Sequence, residues 1–235
     1  MLSSLFSGNI QMFVLELLLS LPVVFLALSV HETAHGYIAY KLGDPTAHSL
    51  GRLTLNPAKH LDPIGFICMV LFGYGWAKPV PINTRYFKKP KRDMALCALA
   101  GPVSNILLAV IFALLLRAEL WVWKAVDPQS LTLLWYAGAM PTAFTGRCLY
   151  WTFQFMVIGI SLNVSLAVFN LIPVPPFDGS RIFLSLLPSN LYFKIMRYEK
   201  YIYVVFMLVL VMGFLDGPIS TVTNFFIDLV LMTVF

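Results

Sequence analysis

The chain has 235 residues, of which 59% are hydrophobic and 11% charged, and its mean hydropathy is +0.82. Soluble domains carry about 25% charged residues, so this composition excludes a soluble globular domain and predicts a protein that crosses a membrane several times. The net charge of +5 is explained by membrane topology, as described below. We therefore expect the lipid bilayer, and no nucleic acid, as a partner.

The first predicted helix covers residues 11–42 and contains a candidate metal-binding motif. Residues 12–30 include a single ionisable side chain, and this apolar run leads directly into the sequence His-Glu-Thr-Ala-His. Residues i and i+4 lie on one face of a helix, so His31 and His35 can reach one metal ion and Glu32 can reach a water on that ion. Because ionisable groups at membrane depth are costly and mark functional sites, the pattern predicts zinc-assisted hydrolysis within the bilayer.

Residues 43–92 are predicted to form a membrane-associated hairpin region that does not cross the bilayer. Residues 52–56 alternate like a short strand. The apolar segment 63–76 has 14 residues, which is short for a span of about 20. Residues 78–83 are expected to be extended, because each proline disfavours helix in the residue before it. The sequence therefore predicts a β-like, re-entrant hairpin.

The remaining predicted elements are two core spans, a short amphipathic segment and an apolar C-terminal pair, at residues 94–116, 151–171, 180–187, 201–215 and 219–235. A polar, aromatic-rich connection is expected at residues 117–150. The predicted fold is an all-α polytopic membrane protein with a three-helix catalytic core, a C-terminal helix pair and the hairpin. One domain is expected to cover residues 1–235, composed of the first helix (11–42), the hairpin region (43–92), the remaining core (93–190) and the C-terminal helices (201–235).

The distribution of basic residues predicts the orientation. If residues 43–92 stay on one face, that face holds 13 of the 16 lysines and arginines, and the opposite face holds Arg117, Lys124 and Arg147. By the positive-inside rule the richer face is cytoplasmic. The protein is thus expected to be a multi-pass protein of the cell membrane, a bacterial inner membrane, with its active site near the cytoplasmic side.

A hydrolytic zinc site usually has three protein ligands and an open position for water, so the two histidines need a third ligand. Asp178 is the best candidate, because it follows the third core span on the same side as the histidine pair. The alternative is a turn or N-cap aspartate in an Asp-Gly pair. His48 and His60 are expected to be exposed loop histidines, although His48 could reach back to the metal.

Three segments resemble the site-2 protease family of intramembrane zinc metalloproteases, in particular its small bacterial-type members without a PDZ domain. They are the motif at 31–35, the Gly-Pro-Val-Ser-Asn sequence at 101–105, and the Asn-Leu-Ile-Pro-Val-Pro-Pro-Phe-Asp-Gly sequence at 170–179. The resemblance implies one Zn²⁺ per chain, transmembrane protein substrates, and roles for individual residues. The implied zinc ligands are His31, His35 and Asp178, the implied general base is Glu32, and the implied substrate contact is Asn170.

One alternative role for Asn170 and two alternative functions remain open. Asn170 could instead make an interhelical hydrogen bond, as is expected for Asn105. The predicted function is a zinc-dependent intramembrane endopeptidase, and the alternatives are a catalytically silent membrane scaffold or a metal transporter. A scaffold would usually have lost Glu32, a histidine or Asp178, and a transporter would carry ionisable residues along several spans. Neither pattern is present in the sequence.

Overall fold

The computed structural model describes residues 10–72, 75–138 and 140–234, and this part of the chain is helical with no β-strand. In chain order the helices are α1 (Ile10–Lys41), α2 (Thr46–Ser49), α3 (Pro63–Phe72), α4 (Pro90–Val126), α5 (Pro128–Ala137), α6 (Phe144–Asn170), α7 (Asp178–Leu184), α8 (Ser189–Arg197), α9 (Glu199–Val211) and α10 (Asp216–Val234). Two short 3₁₀ turns occupy Pro57–Lys59 and Thr84–Tyr86.

Four of these helices, α1, α4, α6 and α10, are long and apolar enough to cross a membrane. The prediction of an all-helical, multi-pass membrane protein is therefore confirmed. Helices α4 and α6 extend into the region predicted as a polar connection at 117–150, and α5 occupies part of what remains. Helix α9 has 13 residues, which is a length of about 20 Å, so of the predicted C-terminal pair only α10 is long enough to span.

Helix α4 is the centre of the bundle and packs against α1, α6, α7 and α10. The main hydrophobic cluster joins Val23 of α1, Phe112 of α4, Val164 of α6 and Val230 of α10. A Cβ at Gly159 of α6 would lie 2.4 Å from the Phe112 ring, so this glycine lets α6 approach α4 closely. Close approach over small residues is the usual way in which membrane helices pack.

The segment between α1 and α4 leaves and re-enters the bundle at the same end. The backbone N–H of Asn83 donates to the buried Asp44 carboxylate at 2.6 Å. Phe87, just before α4, packs against Ala39 of α1 and Cys97 of α4. Within the loop, the ring of Phe66 in α3 lies 5.8 Å from the ring of Phe25 in α1, so α3 lies beside α1.

The predicted strand at residues 52–56 is wrong. Local hydrogen bonds replace a β-ladder there: the Thr54 hydroxyl accepts from the N–H of Asn56, and the Asn56 side chain accepts from the N–H of Ala58. Such side chain to backbone bonds compete with sheet formation. Residues 61 and 77 form one isolated antiparallel bridge in the described part of the segment. Residues 73 and 74 of the predicted hairpin lie outside the described residues.

The chain between α6 and α7 brings Asp178 to the first position of α7. Phe177 anchors this connection, because it packs against Phe206 and Leu210 of α9. A Cβ at Gly179 would lie 2.2 Å from the carbonyl oxygen of Leu171, so only glycine permits the close passage of the two backbones. This packing holds the start of α7 against the end of α6.

Candidate active site

Two histidines of α1 face α4 at a point where α4 has no side chain. His31 and His35 are both buried, and their ring centroids are 4.5 Å apart. A Cβ at Gly101 of α4 would lie 2.5 Å from ring atoms of both histidines. The two imidazoles therefore occupy the space that a larger residue at position 101 would fill.

The hydrogen bonds of the two rings fix their tautomers. Nδ1 of His31 lies 2.6 Å from Oδ1 of Asn105, and Nδ1 of His35 lies 2.7 Å from the carbonyl oxygen of Cys97. Both partners are acceptors, so each Nδ1 carries a proton, and in the neutral ring each Nε2 presents a lone pair. Such outer contacts orient metal-ligating histidines in known metal sites.

The amide of Asn105 is itself oriented by neighbouring helices. Its Nδ2 donates to the carbonyl oxygen of Ala27 in α1 at 3.2 Å and to Oδ1 of Asn163 in α6 at 2.9 Å. Nδ2 of Asn163 in turn donates to the carbonyl of Gly159. Because Nδ2 of Asn105 donates to these two oxygens, Oδ1 of Asn105 is the atom that faces His31. Both asparagines are fully buried.

Asp178 completes a convergent set of three acceptors. Its Oδ2 lies 3.2 Å from Nε2 of His31 and 3.2 Å from Nε2 of His35. The three candidate ligand atoms lie within 4.8 Å of one another, and Oδ2 is buried without a hydrogen-bond donor. Three lone pairs that face one another without a proton are mutually repulsive, so this donor set fits a cation. Two imidazoles and a carboxylate are ligands that Zn²⁺ takes.

The Asp178 carboxylate has the charge that a metal ligand needs. Burial on its own would raise the pKa of Asp178, but hydrogen bonds from the ring nitrogens of His31 and His35 outweigh that effect when those rings are protonated, and lower the pKa to about 2. The group is therefore ionised at neutral pH. In this position it contributes a negative charge to the convergent set.

Glu32, next to His31, has a partner from the segment between α1 and α4. The backbone N–H of Val80 donates to Oε2 of Glu32 at 2.8 Å, and Val80 is 7% exposed. The carboxylate is half-buried. This contact joins residues 48 positions apart in the sequence, and sequence analysis did not predict it.

The other predicted site residues have mixed outcomes. Nδ2 of Asn170 donates to the carbonyl of Leu166 in its own helix, so the observed bond is intrahelical, and contact with a substrate stays a prediction. His48 is exposed and its ring stacks on Tyr40. The expectation of an exposed loop is wrong for His60, which is 1% exposed and bonded through Nε2 to the carbonyl of Thr54. It is buried because the loop folds back on α1.

Sequence analysis missed Asn163 as a partner of the site. The available signal was an amide in the apolar stretch of α6, two helical turns before Asn170 and so near the same face. An unpaired amide in lipid is costly, which would have predicted a polar partner on a neighbouring helix. The sequence alone does not identify that partner as Asn105.

Comparison with known proteins is consistent with this geometry. Peptidase family M50 matches residues 19–213, which is most of the chain. A Bacillus subtilis protein named as a predicted zinc metalloprotease, YwhC, is 43% identical over 190 residues, covering 80% of this chain and 78% of that protein. Names of the same kind belong to Rip2 of Mycolicibacterium smegmatis and MJ0611 of Methanocaldococcus jannaschii, which are 30% and 27% identical. The matches cover 66% and 72% of this chain, and 51% and 71% of those two proteins.

No solved structure matches the chain. The family match alone covers far more than half of the sequence, and it includes the histidine pair, Glu32 and Asp178. The chain therefore belongs to peptidase family M50, the site-2 protease family, and is a metalloprotease.

Proposed function

We propose that this protein is a zinc-dependent endopeptidase that hydrolyses peptide bonds of transmembrane segments within the bilayer, with one zinc ion per chain. The observation that supports it best is the convergence of one candidate ligand atom each from His31, His35 and Asp178 beside the carboxylate of Glu32. These groups lie where a membrane-length helix meets the rest of the bundle. Uncompensated, they would cost several kcal/mol in an apolar setting.

The chain supplies a base and an oriented ligand set. A zinc ion held by His31, His35 and Asp178 would supply Lewis-acid chemistry, polarising the scissile carbonyl and making water more acidic. Glu32 accepts a proton from the attacking water through a carboxylate oxygen and returns it to the nitrogen of the leaving amine. Asn105 and the Cys97 carbonyl accept from Nδ1 of the two rings and so keep both Nε2 atoms directed at Asp178.

The substrates we propose are single transmembrane segments that unwind locally. A helical amide is shielded, because its carbonyl is already hydrogen-bonded within the helix, so an extended stretch is the reactive form. The non-helical chain beside Glu32, residues 75–83, would offer backbone groups to such a stretch. Asn170, at the end of α6, is proposed to contact the substrate.

Substrate unwinding has a direct test. Replacing a glycine or proline in a substrate's span by leucine stabilises its helix, so product should form more slowly than from the unaltered span. The measurement is the initial cleavage rate of paired substrates with the same purified enzyme. Equal rates would show that unwinding does not limit the reaction.

The proposed location is the cell membrane, with the site near the cytoplasmic face. The support is the division of lysines and arginines, 13 to 3, between the two predicted faces of the membrane. Reporter fusions after Arg92 and after Lys200 should be cytoplasmic, and one near Asp127 should be external. An external reporter at Arg92 would show that the segment between α1 and α4 crosses the bilayer.

The experiment that tests the function measures zinc and cleavage on the same purified samples. Wild-type protein should hold about one zinc and cleave a single-span substrate. Glu32→Gln should keep the metal and lose cleavage by roughly 10²- to 10⁴-fold, and Asp178→Ala should lose zinc. Full zinc retention in Asp178→Ala would remove Asp178 from the ligand set.

The same samples separate the two alternatives. A silent scaffold would show no cleavage by wild-type protein and no difference in Glu32→Gln. A transporter would move zinc into vesicles without cleaving any membrane protein. Cleavage that is abolished by Glu32→Gln, and restored by zinc after chelation of wild-type protein, excludes both.

A further inference from the structure

We propose that the backbone N–H of Val80 positions the Glu32 carboxylate for proton transfer, and that Arg52 holds Val80 in place. The inference deepens the proposed function, since it assumes that Glu32 is the base. Val80 and Arg52 are positioning residues, because neither is placed against the ligand set. The contacts that carry the inference lie in the non-helical chain between α1 and α4.

The sequence around Val80 provides a single backbone N–H donor. Val80 is flanked by Pro79 and Pro81, and proline has no backbone N–H, so the tripeptide has one N–H in total. That N–H is directed at Oε2 of Glu32 at 2.8 Å. Val80 is 7% exposed, so little water can replace this bond, and a hydrogen bond to an ionised acceptor is stronger than a neutral one.

Arg52 holds the two residues before Val80 through their carbonyl groups. Its guanidinium donates to the carbonyl oxygen of Lys78 at 2.8 Å and to that of Pro79 at 3.3 Å. From the other side, the N–H of Lys78 donates to the carbonyl of His60 at 2.7 Å. The peptide groups immediately before Val80 are therefore fixed by partners from two different parts of the loop.

The loop that carries Arg52 is tied to the residue next to Glu32. The hydroxyl of Thr33 donates to the carbonyl oxygen of Thr54 at 2.7 Å, and Nε2 of His60 lies 2.7 Å from the same oxygen. Thr33 thus anchors the loop at the level of the site. Arg52, two residues before Thr54, then reaches across to the chain that ends at Val80.

Packing one turn farther along the same face of α1 supports this arrangement. A Cβ at Gly36 would lie 2.6 Å from Leu53 and 3.0 Å from Val80, so both side chains cover the backbone of the turn after His35. Beyond Val80, the N–H of Asn83 is bonded to the buried carboxylate of Asp44. The segment is therefore fixed before and after the donor.

This arrangement has a definite consequence for Glu32. A glutamate side chain has three rotatable bonds and loses considerable freedom when it is ordered. The bond from Val80 occupies Oε2 and fixes the plane of the carboxylate, and Oε1 has no hydrogen-bond partner among the described residues. Oε1 is therefore the oxygen that takes the proton. Small displacements of a catalytic group can cost about 10²-fold in rate.

The test compares variants that remove the N–H or its support with variants that keep them. Val80→Pro removes the donor, and Val80→Ala keeps it while trimming the side chain. Arg52→Ala removes the clamp, and Arg52→Lys restores one donor to it. Arg85→Ala, an exposed arginine of the same segment, is the matched charge control.

We expect Val80→Pro and Arg52→Ala to lower kcat by about 10- to 100-fold, with KM and zinc content within about twofold of wild type. Val80→Ala should lose much less, and Arg52→Lys should recover part of the loss. In a Glu32→Gln background, Val80→Pro should cause no further loss, because the two changes act on one interaction. Zinc content equal to wild type shows that the variants are folded at the site.

Three results would overturn the inference. One is a kcat of Val80→Pro equal to that of Val80→Ala. Another is a rise in KM with kcat unchanged, which would assign the segment to substrate binding. The third is loss of zinc from Val80→Pro and from both Arg52 variants, which would assign it to folding of the site. Failure of the proposed function is a different result, in which Glu32→Gln cleaves as fast as wild type.

Discussion

Glu32 lies one residue after His31 and three residues before His35, but different kinds of structure support the histidines and the glutamate. Apart from Asp178, the groups that orient His31 and His35 lie on α4: an amide, a backbone carbonyl and a glycine that makes room for both rings. The partner of Glu32 is a backbone N–H from non-helical chain. The difference teaches that the proposed metal ligands on α1 and the proposed base have separate supports. Mutations should therefore separate them.

Gly101→Ala should have the largest effect and should disturb the positions of the two histidines. The new Cβ would lie 2.5 Å from ring atoms of both histidines, so one or both rings must move away from Asp178. We expect loss of nearly all zinc and of all measurable cleavage. The measurement is metal content by mass spectrometry on purified protein.

The control for this change is Gly217→Ala, since a Cβ there meets nothing within 4 Å. It should keep wild-type zinc content and cleavage. If Gly101→Ala also kept its zinc, the close approach of α4 would not determine the position of the rings.

Asn105→Leu should have the next largest effect, again on the metal. It leaves Nδ1–H of His31 without its acceptor in a buried position, so the ring is no longer held in one tautomer and orientation. Loss of such a partner costs about 10- to 100-fold in metal affinity. Competition with a zinc chelator measures the change.

Asn163→Leu is the matched variant, because Asn163 contacts Asn105 and is one bond farther from His31. Its zinc affinity should fall less than that of Asn105→Leu. Equal affinity of Asn105→Leu and wild type would show that this chain of amides serves helix packing alone.

Gly36→Ala should have the smallest effect, and that effect should be on the position of Glu32. The new methyl group would press on Leu53 and Val80, whose side chains can shift, and would displace the donor to Glu32 by a fraction of an ångström. We expect kcat to fall by about tenfold with zinc content unchanged. A loss of zinc with unchanged kcat per bound metal would contradict the separation of the two supports.

The parts of the site that sequence could predict are those that depend on local spacing. His31 and His35 are one helical turn apart, so a single helix places both, and apolar length was sufficient to predict the spans. Asp178 was predicted as the third ligand by a different argument, because the chain after α6 emerges on the same side of the membrane as the histidine pair. Each of these inferences uses one element at a time.

The parts that could not be predicted depend on pairs of distant elements. The contacts of Glu32 with Val80, and of Asn105 with Asn163, join positions 48 and 58 residues apart, and no local pattern encodes them. The predicted strand at 52–56 failed for a related reason. Alternation favours a strand only if a neighbouring strand pairs with it, and short side chain to backbone bonds at Thr54 and Asn56 took its place.

The choice of an amide at position 105 has a consequence for the electrostatics of the bound site. With a divalent ion bound, two neutral imidazoles and the Asp178 carboxylate would carry a single positive charge, and the Glu32 carboxylate beside them would balance it. A carboxylate at position 105 would orient His31 equally well, but it would add a further negative charge near the reacting carbonyl. Asn105 orients the ring without adding a charge, and in a low-dielectric bundle an added charge acts strongly on a nearby dipole. Asn105→Asp should therefore bind zinc and yet cleave more slowly than wild type.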